Sequence, residues 1–146
     1  MRLFTMGFTK KSAKEFFDII RNNNVEFLVD IRLNNQSQLA GFSKGRDLEF
    51  FLGEICNCKY KHDTIFAPTK EILDSYKEKK ITWNDYVEQY TKLINDRCVS
   101  KKFFDDYSNY KSVLLLCSEP TPEFCHRRLL AERLYKEQEG VVIIHL

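Results

Sequence analysis

Glycine and proline are sparse, 5 and 3 among 146 residues. No Gly/Ser-rich or single-sign charged stretch breaks the chain, so nothing in it reads as a flexible interdomain linker. A single domain is therefore expected over residues 1–146, within the usual size for one hydrophobic core. Long apolar runs are also missing. None near the start approaches the roughly 20 residues of a membrane helix, and Met1-Arg2-Leu3-Phe4-Thr5 has neither the apolar stretch nor the small-residue cleavage site of a secretory leader. The expected location is the cytoplasm. The 5 cysteines are odd in number and begin only at Cys56, which fits reduced thiols better than a disulfide framework. Large net charge is absent as well: 23 basic against 21 acidic residues leave +2, which excludes a broadly cationic nucleic-acid coat and makes any anion site local. Apolar side chains, by contrast, are plentiful. Hydrophobic residues make up 43% of the chain, with 12 Phe and 7 Tyr, enough to bury a core and to exclude global disorder.

Periodicity predicts an alternating pattern. Arg2–Phe8 reads as a strand, and Ser12-x-x-Glu15 is a capping box opening a helix whose apolar face is Phe16, Phe17, Ile19 and Ile20. Glu26–Arg32 is a strand with a nearly continuous apolar run, the signature of burial on both faces. Such a β-α-β unit forces the two strands to be parallel. The polar stretch Leu33–Gly45 follows and is a candidate substrate loop. Leu48, Phe51, Leu52 and Ile55 mark a second helix, and Cys58–His62 is a short extended piece. Thr69 starts another helix, Thr82-x-x-Asp85 caps a longer one, and Ser100 is expected to cap a third. Aromatic stripes on these helices read as core rather than as a base-stacking platform, because no basic residues interleave them. Ser112–Cys117 is apolar and central, Thr121-Pro122-Glu123 is expected to open a helix running to about Glu139, and Val141–His145 is a last strand. The expectation is an α/β fold in three layers, with a mainly parallel sheet of about four strands and a helical insertion between two β-α-β units.

In a parallel sheet the carboxyl ends of all strands share one edge, where ligands gather. That edge should collect Gly7 and Thr9, Asp30 and Arg32, Cys117 and Glu119, and His145, beside the helix carrying Cys125, His126, Arg127 and Arg128. Asp30, Cys117, Glu119 and His126 are the candidate catalytic residues. Gly7, Thr9, Arg32, Lys44, His62, Cys125 and Arg127 are the candidate substrate contacts. Each has a plainer reading beside it. Arg127, with its planar five-donor fork, could anchor an anion or pair with Asp30 or Glu119. His126 could be an acid or base, or a capping histidine. Cys117 could be an inert buried cysteine or a nucleophile made acidic by a helix amino terminus and an arginine. Cys125 stacks above Leu129 and reads as a packed thiol, while Arg128 reads as solvated. A phosphatase-type loop would need Arg about six residues after Cys117, where Glu123 stands. Cys56-x-Cys58-x-x-x-His62 and Cys117 with Cys125-His126 contain zinc-ligand residue types but lack paired C-x-x-C spacing, so neither metal nor cofactor is expected.

These motifs resemble the domain-of-unknown-function family DUF488. The resembling segments are Thr5-Met6-Gly7-Phe8-Thr9, Val29-Asp30-Ile31-Arg32, Cys117-Ser118-Glu119 and Cys125-His126-Arg127-Arg128, with Phe42-Ser43-Lys44, Tyr60 and His62 between them. The resemblance spans the chain and implies this fold and site, but no reaction. Phe8 stands where many members have His, and Thr64–Pro68 where many have a Leu-Gly-Gly segment. Three functions stay open: an enzyme acting on a phosphate-bearing substrate such as a nucleotide or nucleic acid, a non-catalytic anion or nucleic-acid binding module, and a cysteine-dependent thiol enzyme.

Overall fold

A computed structural model describes residues 1–36 and 40–146. Of the Leu33–Gly45 loop, residues 37–39 lie outside the described residues. Five strands, β1 (Arg2–Gly7), β2 (Phe27–Asp30), β3 (Lys59–His62), β4 (Ser112–Cys117) and β5 (Val142–His145), form one sheet in the order β3-β2-β4-β1-β5. Every pairing is parallel. The fold is α/β in three layers as expected, with one strand more than the four anticipated. The additional edge strand is β3, whose alternating exposure gives it a weaker apolar signal than the fully buried β4.

Side-chain alternation along the strands divides the core. Val29, Val113 and Leu115 face helices α3 (Lys70–Lys77), α4 (Trp83–Asp96), α5 (Val99–Tyr107) and α6 (His126–Glu137), burying Ile72, Tyr86, Tyr90, Phe103, Leu130 and Leu134. Phe4, Met6, Leu28, Leu114 and Leu116 face α1 (Ala13–Asn22) and α2 (Gly45–Cys56) through Phe16, Phe17, Ile20, Leu48 and Leu52. The predicted capping boxes at Ser12 and Thr82 are both formed. No helix among the described residues is long and apolar enough to cross a membrane.

Two expected helix starts are displaced. Ser100 lies inside α5, which begins at Val99 after a single left-handed residue, Cys98, at φ 51°. Seating Val99 in the core governs the start there, and the reversal at Cys98 places it. Likewise α6 begins at His126 rather than at Thr121, with Cys125 extended at the N-cap. A turn closed by the Cys125 N–H donating to the Pro122 carbonyl precedes it at 3.3 Å. The Thr-Pro-Glu signal therefore marks a turn, and residues 118–125 remain free to pass around the end of β4.

Gly7, the last residue of β1, pairs with Cys117. A Cβ at Gly7 would overlap the Glu119 backbone carbonyl and lie 2.8 Å from Arg127 Nη1. Because the obstacle is main chain, Gly7→Ala should shift the 118–125 segment and lower stability by about 1–3 kcal/mol, read from the denaturant midpoint. An unchanged midpoint would show that this segment gives way freely.

Candidate active site

Beyond the carboxyl ends of β2 and β4 lies a cavity of about 480 Å³. Arg32, Cys117, Glu119, Cys125 and His126 line it, with Tyr76, Tyr86, Phe124, Leu73 and Ile81 as its apolar wall and Lys77 and Lys79 also at its lining. It is the kind of mixed concavity, mostly apolar with a few convergent polar groups, that takes small organic molecules.

The centre of the site is a thiol and an imidazole. Cys117 Sγ lies 3.6 Å from His126 Nδ1. On the far side of the ring, His126 Nε2 lies 2.9 Å from the Ile31 carbonyl, so Nε2 carries a proton and donates. That bond fixes the ring and leaves Nδ1 for the sulfur. His126 is the first residue of α6 and packs edge-on against Tyr90. Cys125 falls outside the helix at its N-cap, which turns its thiol toward Cys117 rather than over Leu129. The sulfur of Cys117 thereby has a hydrogen-bond donor in Cys125, which, with the neighbouring His126 and the Glu119 N–H, holds the Cys117 thiol well below the usual thiol range against the opposing effect of burial. Burial first, and then Cys117, push the Cys125 thiol up. His126 is pushed above the ordinary imidazole value because the charge and hydrogen bond of Cys117 outweigh burial. These directions favour a thiolate at Cys117 and a proton on His126, with the thiol of Cys125 kept protonated beside them.

Arg127 points away from the cavity. It is fully buried, and its Nη1 donates to the Glu119 backbone carbonyl. The same nitrogen lies 3.9 Å from Cys125 Sγ. Its Nε and Nη2 have no hydrogen-bond partner among the described residues. It forms an ion pair with neither Asp30 nor Glu119, contrary to the plainer sequence reading.

Arg32 reaches the cavity while its donors are engaged. Nε and Nη2 donate to Asp30 Oδ1 and Oδ2 at 2.8 and 2.6 Å, and Nη2 also donates to the Ser43 carbonyl at 2.6 Å. Tyr60 donates its hydroxyl to Asp30 Oδ2 at 2.8 Å. Phe8 lies beneath the Arg32 guanidinium, 5.1 Å from ring centroid to carbon. Asp30 is thus fully enclosed behind Arg32 and has no route to a ligand.

Other predicted contacts fall outside the lining. His62 Nε2 lies 2.7 Å from the Arg32 carbonyl, Thr9 donates to the Ser118 carbonyl at 2.7 Å, and Lys44 precedes α2. His145, on the edge strand, lies 2.6 Å from the Thr5 hydroxyl through Nδ1. Sequence reading missed the cavity wall supplied by α3 and α4: Leu73, Tyr76 and Tyr86 look like ordinary helix stripe residues, and only their placement beside the strand-end residues makes them wall.

Cys117, Cys125 and His126 offer donor atoms within 4.8 Å of one another, a set that could hold one soft cation. Among the described residues no such set forms at Cys56, Cys58 and His62. Burial raises the Cys58 thiol to about 12, which makes it inert.

A family model described as a domain of unknown function, DUF488, matches residues 12–134. No curated protein and no solved structure matches the chain.

Proposed function

We propose that the chain, which belongs to the DUF488 family, is a thiol-dependent enzyme in which Cys117 is the nucleophile and His126 its charged partner. The observation that carries this reading is the 3.6 Å approach of Cys117 Sγ to His126 Nδ1 at the floor of an open cavity, with the ring held from behind by the Ile31 carbonyl. This is the nucleophile, base and orienting-group arrangement of covalent catalysis. An electrophilic centre bound in the cavity could meet the sulfur, and the His126 N–H can then protonate a leaving group.

The phosphate-directed reading draws less support. Of its two anchors, Arg32 is engaged by Asp30 and Ser43, and Arg127 is fully buried outside the cavity lining. The nucleic-acid module, which would draw on Lys44, Arg46, Lys59 and Lys61 beside the sheet edge, is weakened as well, since Lys61 pairs with Asp63 and Asp106 and Lys59 donates to the Tyr110 hydroxyl.

Iodoacetamide labelling with peptide mapping tests the assignment, with a chelator present to keep the thiols free of metal. At about pH 7 Cys117 should alkylate on the order of tenfold faster than a cysteine in an unstructured peptide, whose pKa is about 8.5. If exposed Cys98 is labelled while Cys117 stays unmodified, Cys117 is not the nucleophile.

A further inference from the structure

We infer that Cys125 completes the chemistry of Cys117 as a resolving thiol, so that the pair exchanges reversibly with low-molecular-weight disulfides. The inference rests on the reading of Cys117 as nucleophile and adds its substrate class.

The observations are positional. Both thiols line the same cavity, both are free, and their sulfurs lie within 4.8 Å of each other and of a His126 ring nitrogen. They come from rigid neighbouring elements, the end of β4 and the N-cap of α6, separated by the 118–124 turn segment. The cavity is also larger than a peroxide or a sulfide requires, and its aromatic and aliphatic wall suits an organic group on sulfur. Arg127 Nη1, 3.9 Å from Cys125 Sγ, places a fixed positive charge next to the thiol that must ionise second.

The reaction runs in two exchanges. The Cys117 thiolate attacks one sulfur of a disulfide RSSR, a Cys117–SR bond forms, the RS–SR bond breaks, and RS⁻ leaves, taking a proton from His126. Cys125 then gives its proton to the neutral imidazole and attacks the Cys117 sulfur. The internal disulfide forms, the Cys117–SR bond breaks, and the second RS⁻ leaves protonated. Two electrons and two protons pass from the protein to RSSR, yielding two RSH. Excess thiol reverses both steps.

The test exposes reduced protein to oxidised glutathione, with a chelator present, and follows intact mass and peptide maps. Wild-type protein should lose two hydrogens and carry a Cys117–Cys125 link that excess glutathione removes. Cys125→Ser should stop at a single glutathione adduct on Cys117, and Cys117→Ser should leave Cys125 unmodified. A wild-type protein that accumulates the Cys117 adduct without the internal link would overturn the inference while leaving Cys117 the nucleophile. Rapid iodoacetamide labelling of Cys117 with no reaction toward the disulfide would do the same. Slow labelling of Cys117 removes the nucleophile reading itself, and the two failures are thereby told apart. Because the wild-type outcome is decisive by itself, misfolding of either variant does not shield the inference.

Discussion

Arg32→Ala is expected to cost about 3–5 kcal/mol of unfolding free energy, since it breaks a buried ion pair from one side. Arg32 is 2% exposed and Asp30 fully enclosed. Removing the guanidinium leaves the Asp30 carboxylate with the Tyr60 hydroxyl and the backbone N–H of residue 32 as its remaining donors. It also uncovers the face of Phe8 and the Ser43 carbonyl. For a domain whose total stability lies in the range of about 5–15 kcal/mol, such a loss consumes much of the margin. Replacing Arg32 and Asp30 together by apolar residues of similar volume should recover a large part of it, because the uncompensated charge is then gone. Urea midpoints of the single and double variants would measure both, and a loss under about 1 kcal/mol for Arg32→Ala would mean that water reaches Asp30. The effect should extend to the site, as the carbonyl of Ile31, between the paired residues, orients the His126 ring.

The second large effect concerns pH. Cys117 is held below the usual thiol range chiefly by the Cys125 hydrogen bond, and His126 above the usual imidazole range by Cys117. Between those two values the pair is thiolate and imidazolium. Falling pH ends the reactive state by protonating the sulfur, at a lower pH than for a free thiol. Rising pH through the His126 value removes the ring proton, so the sulfur keeps its charge but loses the N–H that serves a leaving group. Alkylation of Cys117 should therefore fall off less steeply with falling pH than that of a free thiol of pKa about 8.5, which loses about tenfold per unit. His126→Gln retains a hydrogen-bonding side chain without the charge and should restore only part of the free-thiol slope, the Cys125 hydrogen bond keeping the rest of the shift. A wild-type profile already following that slope would remove the charged pair.

The sheet was legible because its signals are local. β4 is apolar at nearly every position, and the capping boxes at Ser12 and Thr82 tie side chain to backbone within three residues. The convergence of Arg32, Cys117, Glu119 and His126 at one edge also follows from parallel topology alone. What the residues do there depends on a few ångströms of long-range placement. The Thr121-Pro122-Glu123 signal satisfies every local rule for a helix start, yet the helix begins after Cys125. That shift turns Cys125 from a packed thiol above Leu129 into a neighbour of Cys117, and it buries Arg127 against the Glu119 carbonyl rather than presenting it to a ligand. Similarly, the bidentate Asp30–Arg32 pair is two residues apart in sequence, but its closure depends on Ser43 and Tyr60 from distant segments.

The central claim, that Cys117 is ionised near neutral pH, is tested most directly by the ultraviolet absorbance of thiolate. The measurement is a pH titration of chelator-treated wild type minus Cys117→Ser. The account predicts a thiolate difference already present well below the ordinary thiol range and persisting to higher pH. A difference that emerges only near the ordinary thiol pKa of about 8.5 would contradict it.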